Sequence, residues 1–121
     1  MTTEAEKESF LTELRSQVGN TGDTITARDA VNQSTIRNWC DAVSESNPHY
    51  LNPEAAEEGP HGQIVAPPAM LQVWSMPGLI MGQQPQRSKD PSSATYAMLD
   101  EAGFVSVVAT NVEYVFHRYL K

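Results

Sequence analysis

Trp39-Cys-Asp-Ala-Val-Ser-Glu-Ser-Asn-Pro-His-Tyr-Leu-Asn-Pro-Glu-Ala-Ala56, followed after four intervening residues by His61-Gly-Gln-Ile-Val-Ala-Pro-Pro-Ala-Met70, is the stretch on which the fold turns. Its beginning completes a helix. Ile36, Trp39, Cys40 and Val43 keep the i, i+3, i+4, i+7 spacing of one buried face, and Asn32 or Ser34 serves as N-cap. Asn52-Pro53 opens a short second helix through Glu58: asparagine caps the free N–H groups, proline is preset for the first position, and Gly59 terminates. Asn47 to Leu51 is then a tight connection, in which Asn47 bonds nearby backbone and Pro48 sets its own φ. Gly59-Pro60-His61-Gly62 is turn material, and Pro67-Pro68 can stand only at the very start of a helix. That helix, Ala69 to Ser75, carries Met70, Leu71, Val73 and Trp74 around most of its circumference, the mark of burial on several sides, before Pro77-Gly78 stops it.

Upstream of this stretch, Phe10, Leu11, Leu14 and Val18 predict an amphipathic helix over residues 4–18, ending near Gly19-Asn20. Thr21 to Asn32 reads as an extended connection. Met81 to Pro91 turns to Gln, Pro, Arg, Ser and Lys, an exposed, mobile loop, after which Asp90-Pro91 caps a helix ending at Gly103. Phe104 to Leu120 is the one long β signal, with Phe104, Val108, Val112, Tyr114, Phe116 and Leu120 on one face. Ser106, Thr110 and Arg118 interrupt it and predict a bend or bulge. No other segment matches it as a strand, and an unpaired strand exposes a row of backbone donors and acceptors. Either early segments supply short strands, or protein continues beyond Lys121; the second reading is preferred. The expected division is an N-terminal helix and connection over 1–27 and a main domain over 28–121, incomplete at its C-terminal end.

A chain of 121 residues suits one core. The hydrophobic fraction of 40% and charged fraction of 19% argue against disorder. A net charge of −7 disfavours nucleic-acid binding, and a polyanionic ligand would need a local basic patch, for which Arg87, Lys89, Arg118 and Lys121 are the late candidates. Cys40 is alone, so no intrachain disulfide and no zinc site are expected, and its helical position makes it core rather than nucleophile. A reduced, cytoplasmic setting fits. Glu4, Glu6, Glu8 and Glu13 exclude a secretion signal over Met1 to Arg15, and no apolar run approaches the roughly 18 residues of a bilayer span, so no membrane association is expected.

The two quoted blocks, in that order and separation, resemble the N-terminal half of a MaoC-like dehydratase domain. Val31-Asn-Gln-Ser-Thr-Ile-Arg-Asn-Trp39, Ser106-Val-Val-Ala-Thr-Asn111 and His117-Arg-Tyr-Leu-Lys121 narrow the match. It is closest to the larger subunit of heteromeric actinobacterial hydratases that act on steroid side-chain enoyl-CoA thioesters. The resemblance covers residues 28–121 and implies an α+β hot-dog fold, an antiparallel sheet wrapped around one long apolar helix at Pro68 to Met76. It also implies enoyl-thioester hydration. This needs a base for water, an acid for C2 and donors for the thioester oxygen. Active members carry Gly-Asp-x-Asn-Pro-aliphatic-His, and here that motif falls on Ser44 to Tyr50, with Glu45 at the aspartate position and Tyr50 at the histidine position. Tyrosine, with a reference pKa of about 10, is a poor base near neutrality, and the longer Glu45 displaces its carboxylate. No catalytic residue is therefore expected in this chain. His49 offers a shifted dyad with Glu45 at i, i+4, against the reading that it is a surface residue.

His61, Gly62, Val65, Ala66 and Ala69 are weighed between substrate binding, where backbone N–H groups at the start of the buried helix favour an oxyanion or phosphate, and a plain helix entry. Ala66 or Ala69 onward must donate, since Pro67 and Pro68 cannot. Trp74 and Met76 are weighed between an acyl tunnel and core packing, and His117 and Arg118 between a CoA phosphate and simple exposure. No cofactor is expected, CoA being part of the substrate. A smaller MaoC-like chain would bring the Asp/His pair, as a heterodimer or a dimer of heterodimers. The competing expectations are a non-catalytic acyl-thioester-binding scaffold and a self-sufficient hydratase using Glu45 with His49.

Overall fold

The computed structural model describes residues 2–22, 24–76 and 91–121. Among them the chain forms α1 (Glu4–Ser16), α2 (Gln33–Val43), α3 (Pro48–Leu51), α4 (Pro53–Glu58), a 3-10 turn over Pro68–Met70 that runs into α5 (Leu71–Ser75), and α6 (Pro91–Glu101). They divide into two compact units, one of Met1–Thr24 with Gly78–Val112, the other of Ile25–Pro77 with Glu113–Lys121. No helix among the described residues is long and apolar enough to cross a membrane.

The second unit holds the core. Asn32, not Ser34, caps α2: its side chain accepts from the Thr35 N–H at 2.9 Å. Ile36 and Cys40 then point inward and are sealed from solvent, joined by Ala66, Met70 and Trp74 in one apolar cluster. Trp39, Tyr50, Leu51, Ile64, Val73 and Leu120 pack around it, half-buried. Val43 departs from its expected place on the buried face and is 53% exposed, because α2 ends there, beyond the reach of the cluster.

That ending is sharp. Ser44 adopts the left-handed conformation (φ 59, ψ 36), and the N–H groups of Ser44 and Glu45 both donate to the Cys40 carbonyl, the latter at 2.9 Å. Asn47 to Leu51 was expected as a plain connection but contains the helical turn α3. Pro48 opens that turn. Asn47 caps it by accepting from His49 N–H at 3.0 Å, and Asn52 repeats the device five residues on, accepting from Glu54 and Ala55 at 3.0 and 3.2 Å to start α4. Gln33 Nε2 donates to the Tyr50 carbonyl at 3.0 Å and ties α3 back to α2. The Pro-Pro start of the buried helix is as expected, although its first turn is 3-10 and only its second part is α-helical.

In the first unit α1 opens with a capping box: Thr3 N–H donates to Glu6 Oε2 at 2.7 Å and Glu6 N–H to Thr3 Oγ1 at 3.2 Å. The helix buries no residue. Phe10 stacks on Phe104 with centroids 6.1 Å apart. α6 closes near Gly103, whose φ of +88 suits glycine alone, with Phe104 N–H on the Leu99 carbonyl at 2.9 Å.

The long strand expected over Phe104 to Leu120 is not present: no strand occurs among the described residues, and all of 104–119 is exposed. A strand is defined by its neighbour, and the alternating Val, Tyr and Phe pattern records a capacity to pair that no described segment satisfies. The expected loop from Met81, the Asp90 cap, the Pro77-Gly78 stop, and Arg87 and Lys89 lie outside the described residues.

Candidate functional site

Glu45 and Tyr50 stand at the α2–α3 junction shaped by Ser44 and the Asn47 cap, near enough for the Glu45 charge to act on the Tyr50 phenol. Glu45 is half-buried and its Oε1 accepts the Asn47 N–H at 2.9 Å, so its carboxylate is turned onto its own loop. Among the described residues no ion pair links it to His49. The His49 ring lies instead against Gly59, where a Cβ would come within 2.9 Å of Nε2, so a larger residue there would have to displace the ring. His49 is half-buried there rather than free on the surface, and its contact at the end of α4 was not evident from the sequence.

Tyr50 is half-buried, and its phenol is pushed above the ordinary value of 10.0, first by burial and then by the neighbouring Tyr119, Glu45 and Cys40. Cys40, as expected, is core: it is fully buried, and burial together with Glu45 and Asp41 pushes its thiol above 9.0. The protonated forms of both groups are thereby favoured near neutrality.

At the entrance to the buried helix, Val65 and Ala66 turn into the core. The expectation of a free donor at Ala66 is corrected: its N–H is taken by the Leu120 carbonyl at 2.8 Å. Ala69 remains exposed. Gly62 has φ +68 and open space around its α-carbon, so a left-handed turn suffices to require glycine. Trp74 packs in the core, yet its buried indole N–H has no hydrogen-bond acceptor among the described residues. Met76 is 60% exposed.

His61 packs on Tyr119, ring centroids 4.1 Å apart at 47°. This pair was missed: Tyr119 is distant from His61 in sequence, and nothing local signals the contact. Beside it a cleft of about 320 Å³ is lined by Pro68, Phe116, His117, Arg118 and Tyr119. His117 and Arg118 thus share this cleft with Pro68 at the start of the buried helix, whereas Gly62, Val65 and Ala69 do not line it. Among the described residues no cluster of His, Cys, Asp and Glu could hold a metal ion.

Comparison with known proteins extends these observations. Residues 16–118 match the family described as FAS1-like, dehydratase domain region. Over 94 residues the chain is 49% identical to the 3-oxo-4,17-pregnadiene-20-carboxyl-CoA hydratase alpha subunit of Mycobacterium tuberculosis, covering 78% of this chain and 29% of that protein. Over 114 residues it is 38% identical to the probable enoyl-CoA hydratase alpha subunit of Thermomonospora curvata, covering 93% and 36%. The chain thus spans about a third of the length of these relatives. It is also similar to a chain in the crystal structure of the ChsH1-ChsH2 complex from Mycobacterium tuberculosis, with a TM-score of 0.69 and 38% identity over 97% of this chain and 66% of that one. On the match over 16–118 and the identity to these relatives, the chain belongs to the FAS1-like dehydratase family of MaoC-like hot-dog domains.

Proposed function

We propose that this chain is the acyl-CoA-binding domain of the alpha subunit of a heteromeric enoyl-CoA hydratase, and that a partner MaoC-like chain supplies the aspartate and histidine that move the protons. The observation that carries this reading is the motif at Ser44 to Tyr50. Its turn is intact, with the Asn47 cap and Pro48 in place. Its two working positions hold groups unsuited to the task. Hydration adds water across the α,β double bond: a base takes a proton from water as its oxygen attacks C3, and an acid delivers a proton to C2. Glu45 has its carboxylate engaged on the Asn47 N–H. Tyr50 is pushed further from the neutral range by its surroundings. The acyl group is the bulky steroid side-chain type that the Mycobacterium relative's name describes, and the assembly is a heterodimer or a dimer of heterodimers.

The test is reconstitution. Loss of enoyl-CoA absorbance is followed with the full alpha subunit alone, with a MaoC-like chain carrying Asp-x-Asn-Pro-x-His alone, and with both together. Turnover only in the mixture supports the proposal. Turnover by the alpha subunit alone contradicts it, and thioester binding that no partner converts to turnover favours a scaffold instead.

A further inference from the structure

Side chains around the α2–α3 junction are spent on holding it. Gln33 Nε2 donates to the Tyr50 carbonyl at 3.0 Å, Glu45 Oε1 accepts the Asn47 N–H at 2.9 Å, and Asn47 Oδ1 accepts the His49 N–H at 3.0 Å. The Tyr50 hydroxyl, by contrast, bonds to no group among the described residues, although the residue is half-buried and packs against the core cluster. A phenol placed this way is a fixed donor. Its ring is held by packing and the backbone behind it by Gln33, so little rotamer freedom is left to lose when an acceptor meets it. The proton stays on the oxygen near neutrality, because burial and the neighbouring groups push the phenol above 10.0.

The surroundings define the acceptor. Glu45, half-buried, acts on the same phenol through its charge, and a second negative group beside it would be repelled. Tyr119, which also acts on Tyr50 and rests on His61 with ring centroids 4.1 Å apart, adds an aromatic face. A neutral oxygen on an apolar body fits this setting; a phosphate or a carboxylate does not. We infer that the Tyr50 hydroxyl is a specificity-determining donor that recognises a neutral carbonyl oxygen, a ring ketone, on the acyl body of the ligand. A donor built to meet such an oxygen discriminates against the analogue that lacks it, since the hydroxyl is then left without a partner. The inference rests on the acyl-CoA reading above and adds the class of acyl group that the chain prefers, an oxygenated polycycle over a plain hydrocarbon one.

Isothermal titration of the full protein with two CoA thioesters of the same tetracyclic acid, one bearing a ring ketone and one a methylene at that position, tests it. Wild type should prefer the ketone by about three- to tenfold. Tyr50→Phe, which keeps the ring and its packing, should erase that preference by weakening the ketone alone. A preference that survives in Tyr50→Phe overturns the proposal, as does equal affinity of wild type for the two thioesters. An equal loss for both in Tyr50→Phe also overturns it, because a purely structural role would produce that result. Turnover by the reconstituted complex separates the two readings. If the mixture hydrates enoyl-CoA while the ketone preference ignores Tyr50, the hydratase reading stands and the Tyr50 assignment falls. If the preference depends on Tyr50 but no mixture hydrates, the Tyr50 assignment stands and the hydratase reading falls. If neither thioester binds, both fall.

Discussion

Ser44 sits at φ 59, where an L-residue with a β-carbon pays roughly 1–2 kcal/mol and glycine does not. Glycine, the residue that the resemblance puts at this position, would adopt that conformation without strain. Ser44→Gly should raise stability by up to about 1 kcal/mol, the conformational gain being partly offset by the greater freedom of the unfolded chain; chemical denaturation measures it, and a loss would contradict the strain argument. The neighbouring Asn47-Pro48 and Asn52-Pro53 pairs were legible in the sequence because a cap bonds only a few residues away. The ring contacts of His61 with Tyr119, and of His49 with Gly59, depend on how distant segments pack, and no local pattern carries them.

Among the elements, α2 and the helix beginning at Pro68 form the mechanical frame of the site, since Ile36, Cys40, Met70 and Trp74 meet in one cluster. Met70 is sealed from solvent. Met70→Ala should therefore cost roughly 2–5 kcal/mol, read as a lowered denaturation midpoint, and an effect below about 1 kcal/mol would show that the cluster can collapse around the gap. Helical spacing revealed most of this core because its period is a property of the helix itself. Val43 marks the limit of that reasoning: spacing assigns a face but not where the neighbouring element ends. The Phe104–Leu120 segment marks a second limit. Alternation there records a preference for pairing, and a preference becomes a strand only when a partner edge is present.

Among the described residues of the whole molecule, Cys40 and Tyr50 link stability to pH on the alkaline side. A thiol or phenol whose pKa rises on folding contributes stability that is complete below its ordinary value and is lost as pH climbs through the raised folded value. For Cys40 and Tyr50 those ordinary values are 9.0 and 10.0, so stability should fall on the alkaline side of about 9. Thermal unfolding across that range should show the decline, and Tyr50→Phe should flatten its upper part. An unchanged profile would mean that Tyr50 is not held in a desolvated setting. At this scale, too, sequence reasoning reached the family through its motif blocks, while the division into units, with 113–121 joined to 25–77, depends on tertiary packing.

The central claim concerns where the protons are moved. Steady-state hydration of enoyl-CoA by the reconstituted complex tests it most directly, comparing Glu45→Ala in this chain with replacement of the aspartate in the partner's intact motif. The account predicts turnover within about twofold of wild type for Glu45→Ala and a loss of roughly a hundredfold or more for the partner variant. Turnover by this chain alone, abolished by Glu45→Ala, would contradict it.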